Sequence, residues 1–278
     1  MYGMSKENKV LACIIGNLRG GLIPFQTLKK YVLDYYDADL AICYSQPEYS
    51  IMKDTEVDIW KSNAKYDWEF KEPNDWQEIW DLYGTDWRKQ LDNPICGDSA
   101  WGGIAGRPNS ATFCIQPALR HLLKIYMMKD HVLDKYTHFI ITRSDHVYVN
   151  SSFPKLDNKV HIPNGEEYDG YCDRFVIVPK KYIYHFLNVM ESINDGYLFS
   201  SPEKLIKDTC DMNKIPVSIF QRNMFILMRK LEHSRWHKPK NGVRLFKKYF
   251  AKYPHEHDLI QKYYQKDFDT LFKDYREY

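Results

Sequence analysis

The sequence predicts an α/β fold: a mainly parallel central sheet flanked by helices, with a helical C-terminal extension. Three observations carry this. Val10–Ile15 is an uninterrupted apolar run that stops at Gly16, the pattern of a strand buried on both faces. A turn-rich loop, a segment of helical spacing and a second apolar run, Asp39–Tyr44, follow it, which is the order of a β/α unit. A third apolar run, Thr137–Thr142, leads straight into Arg143-Ser144-Asp145-His146. A carboxylate there stands at the C-terminal edge of the sheet, where open α/β sheets bind ligands.

Taken in order, Gly16–Gly21 reads as a loop whose glycines let backbone approach a ligand closely, and Phe25–Leu33 has helical spacing. Asp39–Tyr44 is the second strand, closed by Ser45-Gln46-Pro47. Residues 55–92 are polar and rich in Trp and Asp, with no clean strand alternation, and read as short helices and loops. Trp101–Pro108 is a flexible loop, and Ser110 is placed to cap a helix reaching about Met128. After the central strand come Val160–Ile162, an acidic loop, and a strand over Phe175–Val178. Lys180–Asn194 reads as helix. So does Ser201–Asp208, with Pro202 at its first position and Glu203 in its first turn, both favourable there. Ile215–Phe220 is a short late strand, and the tail from Val243 reads as mostly helical, broken at Pro254.

Composition narrows the function. The chain has 278 residues, 44% of them apolar, enough for one large core or two small ones. Its 39 basic and 37 acidic residues leave a net charge of +2, which gives no support for nucleic-acid binding, a function that needs a clustered basic face. The aromatics, 22 Tyr, 14 Phe and 7 Trp, suit both sugar stacking and core filling. The six cysteines are widely spaced with no CxxC pair, so zinc-ribbon and thioredoxin chemistry find no motif, and Cys13 and Cys43 fall in strand-like runs as buried thiols. Reduced thiols, a polar N-terminus without an apolar leader segment and no membrane-length run lead to the expectation of a cytoplasmic protein without a membrane span.

The loop Gly16-Asn17-Leu18-Arg19 after the first strand, the Arg143-Ser144-Asp145 turn, the Asp173-Arg174-Phe175 step and the Ser201-Pro202-Glu203-Lys204 helix occur in this order. Together they resemble GT-A glycosyltransferases of the kind encoded by large algal viruses (chloroviruses) and algae, over about residues 9–230. The resemblance implies a single domain over residues 1–278. Its Rossmann-like nucleotide-sugar half covers about 9–150, its acceptor half about 151–240, and its helical tail 241–278. It further implies a UDP-sugar donor, with xylose a plausible sugar, a glycan or glycoprotein acceptor, and a divalent metal, Mn²⁺ or Mg²⁺. A virus-encoded protein of this kind would work in the host cytoplasm.

Residue by residue, the resemblance assigns the donor to Gly16, Asn17, Arg19, Tyr44, Ser45, Arg107, Arg143 and Asp145. Asp145 matches the last acid of a DxD turn and His237 a C-terminal metal histidine, so these two are the implied metal ligands. Arg143 stands where such turns carry their first acid, and a guanidinium there suits phosphate oxygens directly. His146 is a further ligand candidate, and His233 shares helical spacing with His237; solvated turn and helix-face positions are the alternative reading for both. Asp98 joins Arg107 as a candidate for hydrogen bonds to the sugar or phosphates. Glu166, Glu167, Asp169 and Asp173 form an acidic loop; an inverting transfer needs a carboxylate there to take the acceptor hydroxyl's proton, with Asp173 the first candidate and Glu167 the second, whereas a retaining enzyme would use the same region to stabilise an oxocarbenium-like state. Two other functions fit the same pattern: an inactive carbohydrate-binding or scaffold protein, and a nucleotidyltransferase-like α/β enzyme.

Overall fold

The computed structural model describes residues 8–45, 54–92, 101–107, 114–197, 201–228, 242–246 and 249–275. The segment expected to cap a helix at Ser110 lies outside these residues, as do Asp98, His233 and His237.

The main sheet is mixed and mainly parallel. Its seven strands run in the order β3-β2-β1-β4-β7-β6-β8. They are β1 Val10–Ile15, β2 Asp39–Tyr44, β3 Tyr66–Glu69, β4 His138–Thr142, β6 Val160–Pro163, β7 Val176–Pro179 and β8 Val217–Phe220. The pairs β1–β2, β1–β4, β2–β3 and β6–β8 are parallel, and β7 runs antiparallel to both β4 and β6. A second sheet of four antiparallel strands has the order β10-β11-β9-β5, made of β5 His146–Tyr148, β9 Met224–Met228, β10 Val243–Phe246 and β11 Tyr249–Ala251.

Alternation along each strand builds two cores on the two faces of the main sheet. Leu11 and Cys13 of β1 pack in one cluster with the helix α3 Ile115–Lys129 and the helix α4 Pro202–Met212. Val10, Ala12 and Ile14 pack in the other with Phe25 and Leu28 of α1 Leu22–Leu28 and Trp60 of α2 Asp54–Asn63. A third cluster joins the second sheet to the C-terminal helix α5 Pro254–Tyr275. Cys13 and Cys43 are buried free thiols, as expected. Trp80, Trp87 and Trp101 are fully buried, with ring centroids 5.3–5.6 Å apart, so these three serve the core rather than a sugar.

Three expectations are corrected. Tyr66–Glu69, within a stretch read as helices and loops, is the edge strand β3; it has a single buried residue, Trp68, which leaves almost no alternation to see. The tail from Val243 opens with the antiparallel pair β10–β11, and Pro254 begins a helix instead of breaking one, as its missing N–H allows at a first position. The predicted helix Lys180–Asn194 is a 3₁₀ turn followed by two short helices that meet at Asn188.

Candidate active site at the β1–β4 crevice

β1 lies between β2 and β4, so the chain leaves β1 towards one edge of the sheet and later returns on its other side. The crevice beyond the C-terminal ends of β1 and β4 is therefore the topological switch point, the favoured ligand position in such sheets. Two loops meet there. Gly16, at φ +91°, turns the chain away from β1, and its N–H donates to the Cys43 carbonyl at 3.0 Å. Gly20 lies so close to the β4–β5 turn that an added Cβ would stand 1.8 Å from the Ser144 carbonyl oxygen. The Ser144 hydroxyl accepts from the Arg19 amide at 3.0 Å and donates to the Asn17 carbonyl at 2.9 Å. Ser45, just past β2, donates its hydroxyl to Asn17 Oδ1 at 2.7 Å. Gly16, Asn17, Arg19, Ser45, Arg143 and Asp145 are thus gathered at one sheet edge.

Arg143 grips Asp145 with a two-pronged pair, Nε to Oδ1 at 2.8 Å and Nη2 to Oδ2 at 2.7 Å. Burial alone would raise the Asp145 carboxyl, but the charge and hydrogen bonds of Arg143, with help from Arg19 and His146, hold it well below the usual range. His146 is buried. Its Nδ1 shares a hydrogen bond with Thr142 Oγ1 at 3.0 Å and its Nε2 has no partner among the described residues; burial and the nearby Arg143, Arg222 and Arg174 outweigh Asp145 and keep it neutral.

The second sheet adds residues that the sequence did not flag. Leu227 of β9 donates its N–H to the Asp145 carbonyl, and Lys252, just past β11, donates its own N–H to the neighbouring Ile226 carbonyl, both at 2.9 Å. Asp145 and Lys252 therefore flank β9 from its two sides. Burial pushes the Lys252 ammonium down to about 8, and the charges of Arg143, Arg19 and Arg174 add to that while Asp145 opposes it. Tyr253 lies under the Arg174 guanidinium, 4.3 Å from ring centroid to charge.

Arg174 is the hub of a carboxylate cluster beside the crevice. Glu256, Glu166, Asp173 and Glu203 stand 3.5, 3.6, 3.8 and 3.9 Å from its nitrogens. Among the described residues the buried Asp173 Oδ1 has no hydrogen-bond partner, and Arg120 donates to the Asp173 carbonyl at 3.4 Å. Glu203, read from sequence as a helix-start acid, faces Asp173; burial and then the Asp173 charge raise its carboxyl to about 7. Behind them the fully buried Arg222 donates to Glu256 Oε1 at 2.9 Å, to the carbonyls of Asn164 and Gly165 at 2.7 Å, and to Cys172 Sγ at 3.1 Å.

The acidic loop carries positive φ at Gly165, Glu166, Tyr168 and Asp169, a strained backbone of the kind that concentrates at functional sites. It is fixed against α4: a Cβ on Gly170 would meet the Glu203 backbone at 2.0 Å, and Tyr171 N–H donates to the Glu203 carbonyl. Tyr168, 57% exposed, donates its hydroxyl to Glu166.

Three candidates sit apart from this constellation. Tyr44 is buried in the core and donates its hydroxyl to Glu69, so its ring does not line the crevice. Arg107 pairs with Asp92 at 3.3 Å, on a loop held by Asp75. Glu167 turns outward and accepts from Gly165 N–H at 2.5 Å, away from the Arg174 hub. The described residues also do not fit a divalent metal of the implied kind. Both Asp145 oxygens belong to Arg143, cations surround His146, and among the described residues no group of three His, Cys, Asp or Glu side chains is placed to hold a metal ion. His237 lies outside the described residues.

No protein-family model matches the chain, and no curated protein matches it. Among solved structures, it is similar to a glycosyltransferase involved in the glycosylation of the major capsid of PBCV-1, at 12% identity and TM-score 0.37, over 77% of this chain and 82% of that one. It is also similar to a protein described as a nucleotide-diphospho-sugar transferase of Desulfovibrio desulfuricans G20, at 12% identity and TM-score 0.34, over 78% of this chain and 80% of that one. Among the described residues no helix is long and apolar enough to cross a membrane.

Proposed function

We propose that this chain is a glycosyltransferase that moves a sugar from a nucleoside-diphosphate donor, with UDP-xylose the first candidate, to a hydroxyl of a glycan or glycoprotein. The observation that carries the reading is the division of charge around the crevice. Arg19, Arg143 and Lys252 gather on the donor side, at the β1–β4 switch point. The Asp173–Glu203 carboxylate pair lies across Arg174 from them, behind the strained loop. Cations at a sheet edge suit a diphosphate, and a buried carboxylate pair whose Glu203 is raised to about 7 suits a proton acceptor.

The step balances within these groups. The acceptor oxygen bonds to the anomeric carbon, and the bond from that carbon to the diphosphate oxygen breaks. The electron pair leaves with the nucleoside diphosphate, and the hydroxyl proton passes to the Asp173–Glu203 pair. Tyr168, exposed beside Glu166, offers a ring against which an acceptor sugar can stack.

One observation favours a second reading, a carbohydrate-binding protein without turnover: Arg143 replaces an acid and occupies Asp145 completely. Incubation with UDP-xylose, UDP-glucose and UDP-galactose, with and without glycan acceptors, separates the two. Transfer is expected to release UDP in step with glycoside formed, and slow UDP release is expected without acceptor. Binding of UDP-sugars with no release under either condition would leave the binding-protein reading standing.

A further inference from the structure

Tyr253 joins the second sheet to the C-terminal helix. The residue before it donates its N–H to the Ile226 carbonyl of β9, and its own carbonyl accepts from His257 N–H at 3.3 Å, in the first turn of α5. Its backbone is thus fixed on both sides. Its ring is fixed as well. The Arg174 guanidinium lies 4.3 Å and the Lys252 ammonium 5.1 Å from the ring centroid, both cation–π distances. A ring already carrying cations has little face left for a sugar, so what Tyr253 offers a ligand is its hydroxyl. That hydroxyl has no hydrogen-bond partner among the described residues.

The charges that act on the hydroxyl come from both sides of the crevice. Arg143 belongs to the donor side, while Arg174, Glu256 and Asp173 belong to the carboxylate cluster. Tyr168 of the acidic loop also lies within reach of its charge. Burial raises the phenol, Arg174 and Arg143 lower it, and Glu256 and Asp173 raise it again; the balance is upward, so the group stays a protonated donor at neutral pH.

In a glycosyl transfer the anomeric carbon has to lie between the diphosphate at Arg143 and the base at Asp173, the interval in which this hydroxyl stands. Two oxygens flank that carbon in the transition state. The attacking oxygen gives up its proton, and the departing oxygen gains negative charge. A permanent donor strengthens against the oxygen that gains charge; against the attacking oxygen it would only blunt the nucleophile.

We propose that Tyr253 is a catalytic residue whose hydroxyl donates a hydrogen bond to the departing diphosphate oxygen. The inference rests on the glycosyltransferase reading above and adds a leaving-group contact to it. The phenol keeps its proton throughout. The bond from the anomeric carbon to the diphosphate oxygen breaks, its electron pair stays on that oxygen, and the hydrogen bond tightens as the charge grows. Such a contact raises kcat and leaves ground-state binding nearly unchanged.

Tyr253→Phe keeps the ring beneath Arg174 and removes only the hydroxyl. Thermal melts, calorimetry with UDP-xylose, and the rates of transfer and of acceptor-free UDP release, all on the full chain, test the proposal. The variant is expected to melt as the wild type does and to bind UDP-xylose with unchanged affinity. Its kcat for transfer is expected to fall about 100-fold, the order seen when one donor to a developing oxyanion is lost. UDP release without acceptor is expected to fall by the same factor, because breaking the bond to the diphosphate is common to both reactions. A folded Tyr253→Phe with wild-type kcat would overturn the proposal. A loss confined to transfer would overturn it too, since that pattern belongs to a contact with the acceptor, as would a raised KM at unchanged kcat. A wild-type chain that neither transfers sugar nor releases UDP would remove the glycosyltransferase reading itself, and the role of Tyr253 with it.

Discussion

Gly20 has no room for a side chain at the β1–β4 crevice. A methyl group there would stand 1.8 Å from the Ser144 carbonyl oxygen and 2.7 Å from its carbon, so backbone must move to admit it. Gly20→Ala is expected to cost about 2 kcal/mol or more by overpacking and to weaken UDP binding as well, since the same displacement separates Arg19 from Ser144. Thermal melts and calorimetry on this variant check both; unchanged values for both would mean that the two loops are not locked together. Asp173 presents the opposite case, a residue that can change without strain. Its Oδ1 has no hydrogen bond to lose, and Arg174 keeps three other carboxylates. Asp173→Asn is therefore expected to hold its melting temperature and its UDP-sugar affinity while transfer falls about 10²–10⁴-fold, the range for losing a general base. A variant that transfers sugar normally would remove Asp173 from the reaction. Asp173 and Asp145 are legible in the sequence because each follows or precedes an apolar run. Glu203 is legible only as a helix-start acid, because its partner Asp173 lies 30 positions away in the chain and only the docking of Gly170 against the Glu203 backbone brings them together.

Among the elements, β9 organises the site. It pairs with β5, which follows Asp145, and with β11, which precedes Lys252. Its Ile226 N–H also donates to Glu256 Oε2 at 2.8 Å, in the first turn of α5. Glu256 thereby closes a buried ion pair with Arg222, which in turn holds the carbonyls of Asn164 and Gly165 at the start of the acidic loop. Breaking such a pair leaves an uncompensated buried charge. Glu256→Gln is expected to destabilise the protein by about 3–5 kcal/mol, visible as a lowered denaturant midpoint; a loss below 1 kcal/mol would mean that α5 is not pinned through this residue. The buried strands β1, β2 and β4 can be read from sequence, since a bounded apolar run, six residues in β1, five in β2 and three in β4, is the pattern of a strand covered on both faces. The second sheet cannot. His146–Tyr148 and Tyr249–Ala251 have three residues each, too few to show a period, and their pairing depends on partners some 80 or 20 positions away. In sequence, Lys252 therefore resembles any solvated lysine of a helical tail. The apolar run Met224–Met228 is the signal that points the other way, because a strand there needs partners on both sides.

Across the whole molecule, a net charge of +2 conceals a strong separation: donor-side cations and acceptor-side carboxylates meet at Arg174. Two groups in this arrangement titrate near neutrality, and they do so for opposite reasons. Glu203 is raised to about 7 by burial and by Asp173, with Arg174, Ser201 and its own helix N–H pulling the other way. Lys252 is lowered to about 8 by burial and by Arg143, Arg19 and Arg174, with Asp145 opposing. Raising the pH through 7 ionises Glu203 beside Asp173 and prepares the site to accept a proton, so turnover rises. Raising it further through 8 discharges Lys252, so diphosphate affinity falls. A UDP-sugar has no group that titrates in this window, which leaves both limbs to the protein. The expected outcome is a narrow maximum of kcat/KM between about pH 7 and 8, while UDP-sugar affinity measured alone shows only the upper limb. Lys252→Arg replaces the titrating ammonium with a permanent cation and is expected to extend the plateau upward, leaving the lower limb in place. Stability moves in the opposite direction. The unfolded chain binds more protons than the folded one between pH 8 and the ordinary lysine value of 10.5, so stability should rise with pH across that window, and this rise should disappear in Lys252→Met. An upper limb that persists unchanged in Lys252→Arg would show that another group titrates there and would remove Lys252 from the donor site.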